Sequence, residues 1–173
     1  VQLAVAGVHN VSNALAAAGL ALAAGLAPEL VADRLGSVSI ESPHRMDISE
    51  LSGDLLLIDD SYNANIDSMT AALAVLPALA GERRRVVVIS EMLELGESSA
   101  ADHARTGELA AQAGAAMLIG IGSTQEALEA AGARGVEVVG FDDAATAISQ
   151  IDALLCDGDA VLVKGSNGSG AWR

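Results

Sequence analysis

The sequence predicts an α/β fold built on a doubly wound, mostly parallel sheet, and three observations carry that expectation. From about Asp54 onward, short aliphatic runs alternate with helical patterns. The runs are too short for buried helices and rich in Val and Ile, as strands covered on both faces tend to be. The helical stretches between them have readable starts, which makes the repeat βαβ and the strands parallel.

The predicted strands, in order, are residues 55–58, 86–89, 117–121, 136–141 and 160–163. Between the first two, Met69, Leu73 and Leu76 recur at helical spacing. Ser123, Thr124, Gln125 and Glu126 spell a capping box, in which the serine and the glutamate satisfy each other's backbone N–H groups at a helix start. Asp142 is expected to cap a helix carrying Ala144, Ile148, Ile151 and Leu155 on one face. Residues 1 to about 42 stand outside this rhythm. They offer one short strand (2–6), an alanine-rich helix opening near Asn10 to Asn13, and a second helix that Pro28 can start and Gly36 can stop. A polar linker, residues 39–44 with Pro43, follows, so this piece is expected to be the edge of another domain.

Composition narrows the classes. The 173 residues are 51% hydrophobic but only 2% aromatic, so the core is aliphatic and global disorder is excluded. Lys and Arg number 9 against 23 Asp and Glu, for a net charge of −14, which repels nucleic acid and anionic membranes. With so few aromatics there is no platform for stacking bases either. One cysteine, Cys156, excludes a disulfide framework and a Cys-based zinc site and fits a reducing cytoplasm. The uninterrupted small and apolar run 14–27 is shorter than the roughly 20 residues of a spanning helix and is expected to form a buried helix of a soluble protein. The chain opens with neither Met nor a basic segment before an apolar run, so no signal peptide is expected; it begins in mid-pattern, as a fragment would.

Ligands of open parallel sheets bind beyond the carboxyl ends of the strands. The polar residues expected there are Asp59, Asp60, Ser61, Tyr62 and Asn63, then Ser90 and Glu91, Gly120 and Gly122, Asp142 and Asp143, and finally Lys164, Gly165 and Ser166. Two adjacent carboxylates ending a buried strand can hold a metal, a ribose hydroxyl or a basic partner, or can simply cap the next helix. The following Ser-Tyr-Asn-Ala-Asn, with the chain's one tyrosine between amides, favours a purine ligand. Lys164 reads as a ligand-binding cation or a solvated strand end, and Arg45 after His44 as an anion clamp or a surface turn. His9, His44 and His103 share no metal-ligand spacing, so no metal site is expected. Gly120-Ile-Gly122 followed by a helix, with Asp142 some 20 residues on, matches a dinucleotide fingerprint except that Gln125 replaces the third glycine.

Five strings in this order, Gly7-Val-His-Asn-Val-Ser-Asn-Ala-Leu-Ala-Ala17, Arg45-Met46, Ile58-Asp-Asp-Ser-Tyr-Asn-Ala-Asn65, Glu91-Met-Leu-Glu-Leu-Gly-Glu97 with His103, and Val161-Leu-Val-Lys-Gly-Ser166, closely resemble the C-terminal part of the Mur ligase family of bacterial peptidoglycan synthesis, in its branch that adds D-alanyl-D-alanine. The resemblance implies that residues 1–42 are the C-terminal edge of a central ATPase domain and residues 43–173 a Rossmann-like C-terminal domain. It implies an ATP-dependent amide ligase in which ATP phosphorylates the carboxylate of UDP-N-acetylmuramoyl-tripeptide and the amine of D-Ala-D-Ala attacks the acyl phosphate. ATP, the dipeptide and the nucleotide-linked tripeptide are the implied partners, in a cytoplasmic monomer. Magnesium is implied too, with its ligands on the central domain.

Carried over by residue, Asn13 with His9 and Asn10 resembles the adenine contact. Arg45 resembles a phosphate contact and Asp60 a ribose contact, while Tyr62, Asn63 and Asn65 are expected along the nucleotide. Lys164 and Ser166 are expected to orient the dipeptide or the reacting phosphate. The sequence contains no Gly-x-x-Gly-Lys-Thr phosphate loop, so no residue of this chain is expected to be catalytic. Two other readings compete. A receiver-like phosphoacceptor domain also has an acidic pair and a strand-end lysine but needs an aspartate where Ser90-Glu91 stands, and a nucleotide-binding module rests on Gly120 and Gly122 alone.

Overall fold

A computed structural model describes residues 1–3, 8–38, 44–166 and 168, with the side chains of residues 8 and 9 left aside. The chain divides into two compact units, Val1–Pro43 and His44–Arg173.

The first unit consists of α1 (Val8–Ala23) and α2 (Pro28–Gly36). Pro28 opens α2 at its first turn, where its missing N–H costs nothing. Most of the expected strand at 2–6 and of the linker at 39–44 lies outside the described residues. The expectation of a buried helix over 14–27 is corrected: Leu15 and Leu20 of α1 are 69% and 75% exposed. Val31 is the single buried hydrophobic residue among the described residues of this unit, so within it the apolar face of α1 has little to pack against.

The second unit is a six-stranded sheet in the order β1-β2-β6-β3-β4-β5. Its strands are β1 (Asp47–Leu51), β2 (Leu55–Asp60), β3 (Arg85–Ser90), β4 (Met117–Ile121), β5 (Glu137–Phe141) and β6 (Ala160–Lys164). All neighbouring pairs are parallel except β1 with β2, which form an antiparallel hairpin. The α/β class is as expected; β1, on the sheet edge, is an addition to the five strands read from the sequence. Side chains alternate between two cores. Leu56, Ile58, Val87, Ile89, Leu118 and Leu162 face α3 (Ile66–Ala80), α4 (Ser99–Gln112) and α5 (Gln125–Gly132). Val86, Val88, Met117, Ile119 and Val161 face α6 (Ala144–Gln150) and the turn after it. Gly107 lets α4 approach α5 closely: a Cβ there would lie 2.0 Å from the carbonyl oxygen of Ala127.

Two helix starts differ from the reading by one residue. Thr124 is the N-cap of α5 and no side chain closes a capping box, because Glu126 falls one position too early to reach back. Asp143, rather than Asp142, caps α6, accepting from the Thr146 N–H at 2.8 Å. Its extended backbone places the carboxylate over the first turn. A capping box that the sequence reading did not single out begins α3, where Asn65 accepts from the Ser68 N–H and Ser68 accepts from the Asn65 N–H. Among the described residues no helix is long and apolar enough to cross a membrane.

At the amino edge of the sheet, an ion pair with a buried carboxylate braces the strands. Asp159, 1% exposed, receives Arg84 through two nitrogens, at 2.9 and 2.7 Å, and the Cys156 N–H at 2.8 Å. Arg84 also donates to the Leu154 carbonyl, so it ties the start of β3 to the turn before β6. The guanidinium hydrogen bond holds the Asp159 carboxyl below its ordinary 3.8 against the opposing effect of burial. A carboxyl held low stabilises the fold above its unfolded value and loses that contribution as pH falls from about 4 through the folded value. Asp159→Ala is expected to cost about 3 kcal/mol at neutral pH and to flatten the acid limb of the stability profile, measured by urea unfolding at a series of pH values.

Candidate functional site

The carboxyl ends of β2 and β6 lie side by side, with Asp60 in register with Lys164. Lys164 is 2% exposed. Its ammonium donates to Asp60 Oδ2 at 2.6 Å and to the Asn63 carbonyl at 3.0 Å. It sits beneath the β2–α3 loop and anchors it, because a buried ammonium needs its donors satisfied by the protein. Ser166 is likewise 4% exposed and accepts from the Leu93 N–H.

The two adjacent aspartates face different partners. Asp59 Oδ2 accepts from His44 Nδ1 at 2.6 Å, and Asp59 Oδ1 accepts from both the N–H and the hydroxyl of Ser61. Burial pushes the Asp59 carboxyl up, but the hydrogen bonds from Ser61 and His44 outweigh it and hold the group below its ordinary value. Asp60 Oδ1 accepts from the Met46 N–H at 3.1 Å. Both carboxylates are therefore engaged by protein donors on both oxygens. Among the described residues no three His, Cys, Asp or Glu side chains gather as a metal would require.

Around these anchors lies a short turn, His44 to Met46, whose carbonyl at His44 accepts from the Tyr62 N–H at 2.9 Å. Arg45 is exposed, with its guanidinium carbon 4.1 Å from the centroid of the Tyr62 ring. The arrangement offers a cation and an aromatic face together, a pair suited to a phosphate and a base or sugar. Asn63 accepts locally from the Ala64 N–H, and the Asn65 side chain is engaged as the α3 cap. In the first unit, Asn13 donates to Asn10 at 3.4 Å, which places the two amides on one face of α1; the His9 side chain lies outside the described residues.

A second interlock lies at the end of β3 and was missed by sequence reasoning beyond the presence of His103 in a motif. His103 is 3% exposed; its Nε2 accepts from the Met92 N–H at 3.0 Å, and its Nδ1 faces the Ser99 carbonyl at 2.8 Å. A ring that accepts at Nε2 from a backbone N–H and donates at Nδ1 to a carbonyl is neutral. With Ser166 it fixes the loop after Ser90. Gly120 has a packing reason: a Cβ there would meet the Thr124 hydroxyl at 2.2 Å. Its lack of a side chain thus makes room for the start of α5.

An open α/β sheet with its polar loops gathered at the carboxyl edge defines a domain of the doubly wound class. The family described as Mur ligase, glutamate ligase domain, matches residues 44–167, and the chain belongs to the Mur ligase family. It is 38% identical over 98% of its length to the UDP-N-acetylmuramoyl-tripeptide--D-alanyl-D-alanine ligase of Mycobacterium tuberculosis, and it spans 38% of that protein. A crystal structure of MurF from Acinetobacter baumannii superposes with a TM-score of 0.83 at 33% identity, over 98% of this chain and 37% of that one. A crystal structure of MurF from Thermotoga maritima in complex with ADP superposes with a TM-score of 0.63 at 25% identity, over 80% of this chain and 31% of that one. The receiver-like and stand-alone nucleotide-module readings are not supported.

Two substitutions test these assignments. Lys164→Met is expected to destabilise the second unit by about 3 kcal/mol by leaving Asp60 without its partner ion, seen as a lowered midpoint in urea. His103→Ala is expected to leave the Met92 N–H buried and unpaired and to cost about 2 kcal/mol. Hydrogen exchange should then accelerate at Met92 and Leu93 while β3 amides keep their protection, with His103→Gln restoring part of the difference.

Proposed function

We propose that this chain is the C-terminal part of an ATP-dependent ligase that joins D-alanyl-D-alanine to UDP-N-acetylmuramoyl-tripeptide in peptidoglycan synthesis. On this reading residues 1–42 form the trailing edge of the central ATPase domain and residues 43–173 the C-terminal domain. The exposed leucines of α1, in a unit where Val31 is the one buried hydrophobic among the described residues, suit a piece of a larger core.

The observation that carries the nucleotide reading is the stack of Arg45 on Tyr62 at the carboxyl edge of β2, in a chain whose relatives include a ligase crystallised with ADP. Arg45 would meet the phosphates. Asp60 uses one donor on each oxygen; a carboxylate oxygen has two lone pairs, so it keeps capacity to accept a ribose hydroxyl. Asn10, Asn13 and His9 would contact the adenine. Tyr62 and Asn63 would line the nucleotide, while Asn65 would contribute by setting the start of α3.

The engaged carboxylates of Asp59 and Asp60 do not fit magnesium, and no step is assigned to this chain through the metal. In the proposed reaction the γ-phosphoryl group of ATP passes to the tripeptide carboxylate, and the dipeptide amine then displaces phosphate to form the amide. The chain's contribution is to bind and orient the nucleotide; the Gly-x-x-Gly-Lys-Thr loop that grips phosphates is not among its 173 residues. ATP as a substrate and the unpaired, exposed Cys156 suit the cytoplasm.

The test is phosphate release by the complete ligase. Release should depend on D-Ala-D-Ala, and Arg45→Ala should raise the KM for ATP by about tenfold to a hundredfold, the worth of one charge-assisted hydrogen bond. The purified 173-residue chain should show no turnover; dipeptide-dependent phosphate release from it would overturn the assignment.

A further inference from the structure

The backbone on either side of Arg45 is left-handed, with φ of +61° at His44 and +52° at Met46. Neither residue is glycine, and such a conformation is strained for a residue with a Cβ, so it persists only where surrounding contacts over-determine it. Contacts among the described residues do so here. The His44 carbonyl accepts from the Tyr62 N–H, His44 Nδ1 donates to Asp59, the Met46 N–H donates to Asp60, and the Arg45 guanidinium covers the Tyr62 ring. They land on Asp59, Asp60 and Tyr62 in succession, so the turn is fastened to the end of β2 on both sides of Arg45.

Asp59 is itself prepared for this task. Its second oxygen is held by the Ser61 N–H and hydroxyl, the latter at 2.6 Å, which fixes the carboxylate in the orientation that meets His44. Ser61 is fully buried, so the anchor rests on the packed end of the strand. The Asp59–His44 bond is also short, at 2.6 Å, and His44 is only partly exposed.

We propose that His44 and Asp59 are positioning residues for Arg45, their hydrogen bond holding the strained turn so that the guanidinium stays on Tyr62 and faces the nucleotide phosphates. The proposal rests on the nucleotide-binding reading of Arg45 given above. It assigns the first aspartate of the adjacent pair to holding the cation in place, and the second to seating both the turn, through Met46, and Lys164.

Two substitutions at one position separate the bond from the backbone conformation. Glycine and asparagine both adopt positive φ readily, but only asparagine retains a side-chain donor for Asp59. In the complete ligase, His44→Gly is expected to raise the KM for ATP by about tenfold, with kcat and the KM for D-Ala-D-Ala little changed. His44→Asn should stay within about twofold of the parent. In an Arg45→Ala background His44→Gly should add nothing. An unchanged KM for ATP in His44→Gly, a full additional loss in the Arg45→Ala background, or an equal rise in all KM values would overturn the proposal.

A readout independent of turnover is the ring-current shift of the Arg45 side-chain protons by Tyr62, the chain's one tyrosine. It should be lost in His44→Gly and kept in His44→Asn; its persistence in His44→Gly would sink the proposal. A parent ligase without dipeptide-dependent turnover would refute the functional reading alone, and the ring-current shift would then decide whether His44 holds Arg45.

Discussion

A buried ammonium organises the carboxyl edge of this sheet. Lys164 ends β6, a strand with neighbours on both sides, and its side chain points into the interior with Ala160 and Leu162 rather than to solvent. Removing a charged amine from water costs several kcal/mol unless acceptors replace the lost hydration. The acceptors are the Asp60 carboxylate and the Asn63 carbonyl, and meeting them fixes the path of the loop that leaves β2. Once that path is set, the other oxygen of Asp60 seats the Met46 N–H, and Tyr62 presents its N–H to His44 and its ring to Arg45. An exposed cation is thus placed by a buried one through three residues of loop.

The two edges of the sheet use ion pairs differently. At the amino edge, Arg84 and Asp159 close on each other with additional bonds to the Leu154 carbonyl and the Cys156 N–H. That pair braces a strand start against a turn. At the carboxyl edge, the loops after β2, β3 and β6 are linked to one another: Lys164 reaches Asn63, Ser166 holds Leu93, and His103 from α4 holds Met92. Strand-end loops cross-tied in this way are fastened to one another and to the sheet by specific bonds, which is what precise presentation of ligand groups requires.

Much of the fold was legible because central parallel strands must be apolar on both faces. Val86 to Ile89 and Met117 to Ile121 announce themselves for that reason. β1 did not, because Asp47–Leu51 is an edge strand, mostly exposed, with an ordinary Asp-Ile-Ser-Glu-Leu composition. The helix starts at Thr124 and Asp143 each sit beside a second residue able to cap, and only backbone conformation chooses between neighbours. At the site, the Asp59-Asp60 pair stood out in the sequence, but its purpose could not, since the partners His44, Met46 and Lys164 lie 15, 14 and 104 residues away. Lys164 carried an available signal: it continues the alternation of Ala160 and Leu162 on a strand whose length and composition already argued for burial.

The charge balance acquires a different meaning with this geometry in view. A net charge of −14 spread over the chain opposes an approaching nucleotide at long range. Beyond the roughly 8 Å Debye length of physiological salt, however, most of those exposed carboxylates are screened. What a bound phosphate would feel is the local arrangement, in which Asp59 and Asp60 are each matched by protein donors and Arg45 projects beyond them. Engaging both aspartates internally therefore does two things at once. It fixes the turn that carries the cation, and it lowers the repulsion that two free carboxylates beside that cation would exert on an anionic ligand. At the end of β2 the nearest acids are already occupied, which favours a cationic contact there on a domain that is acidic overall.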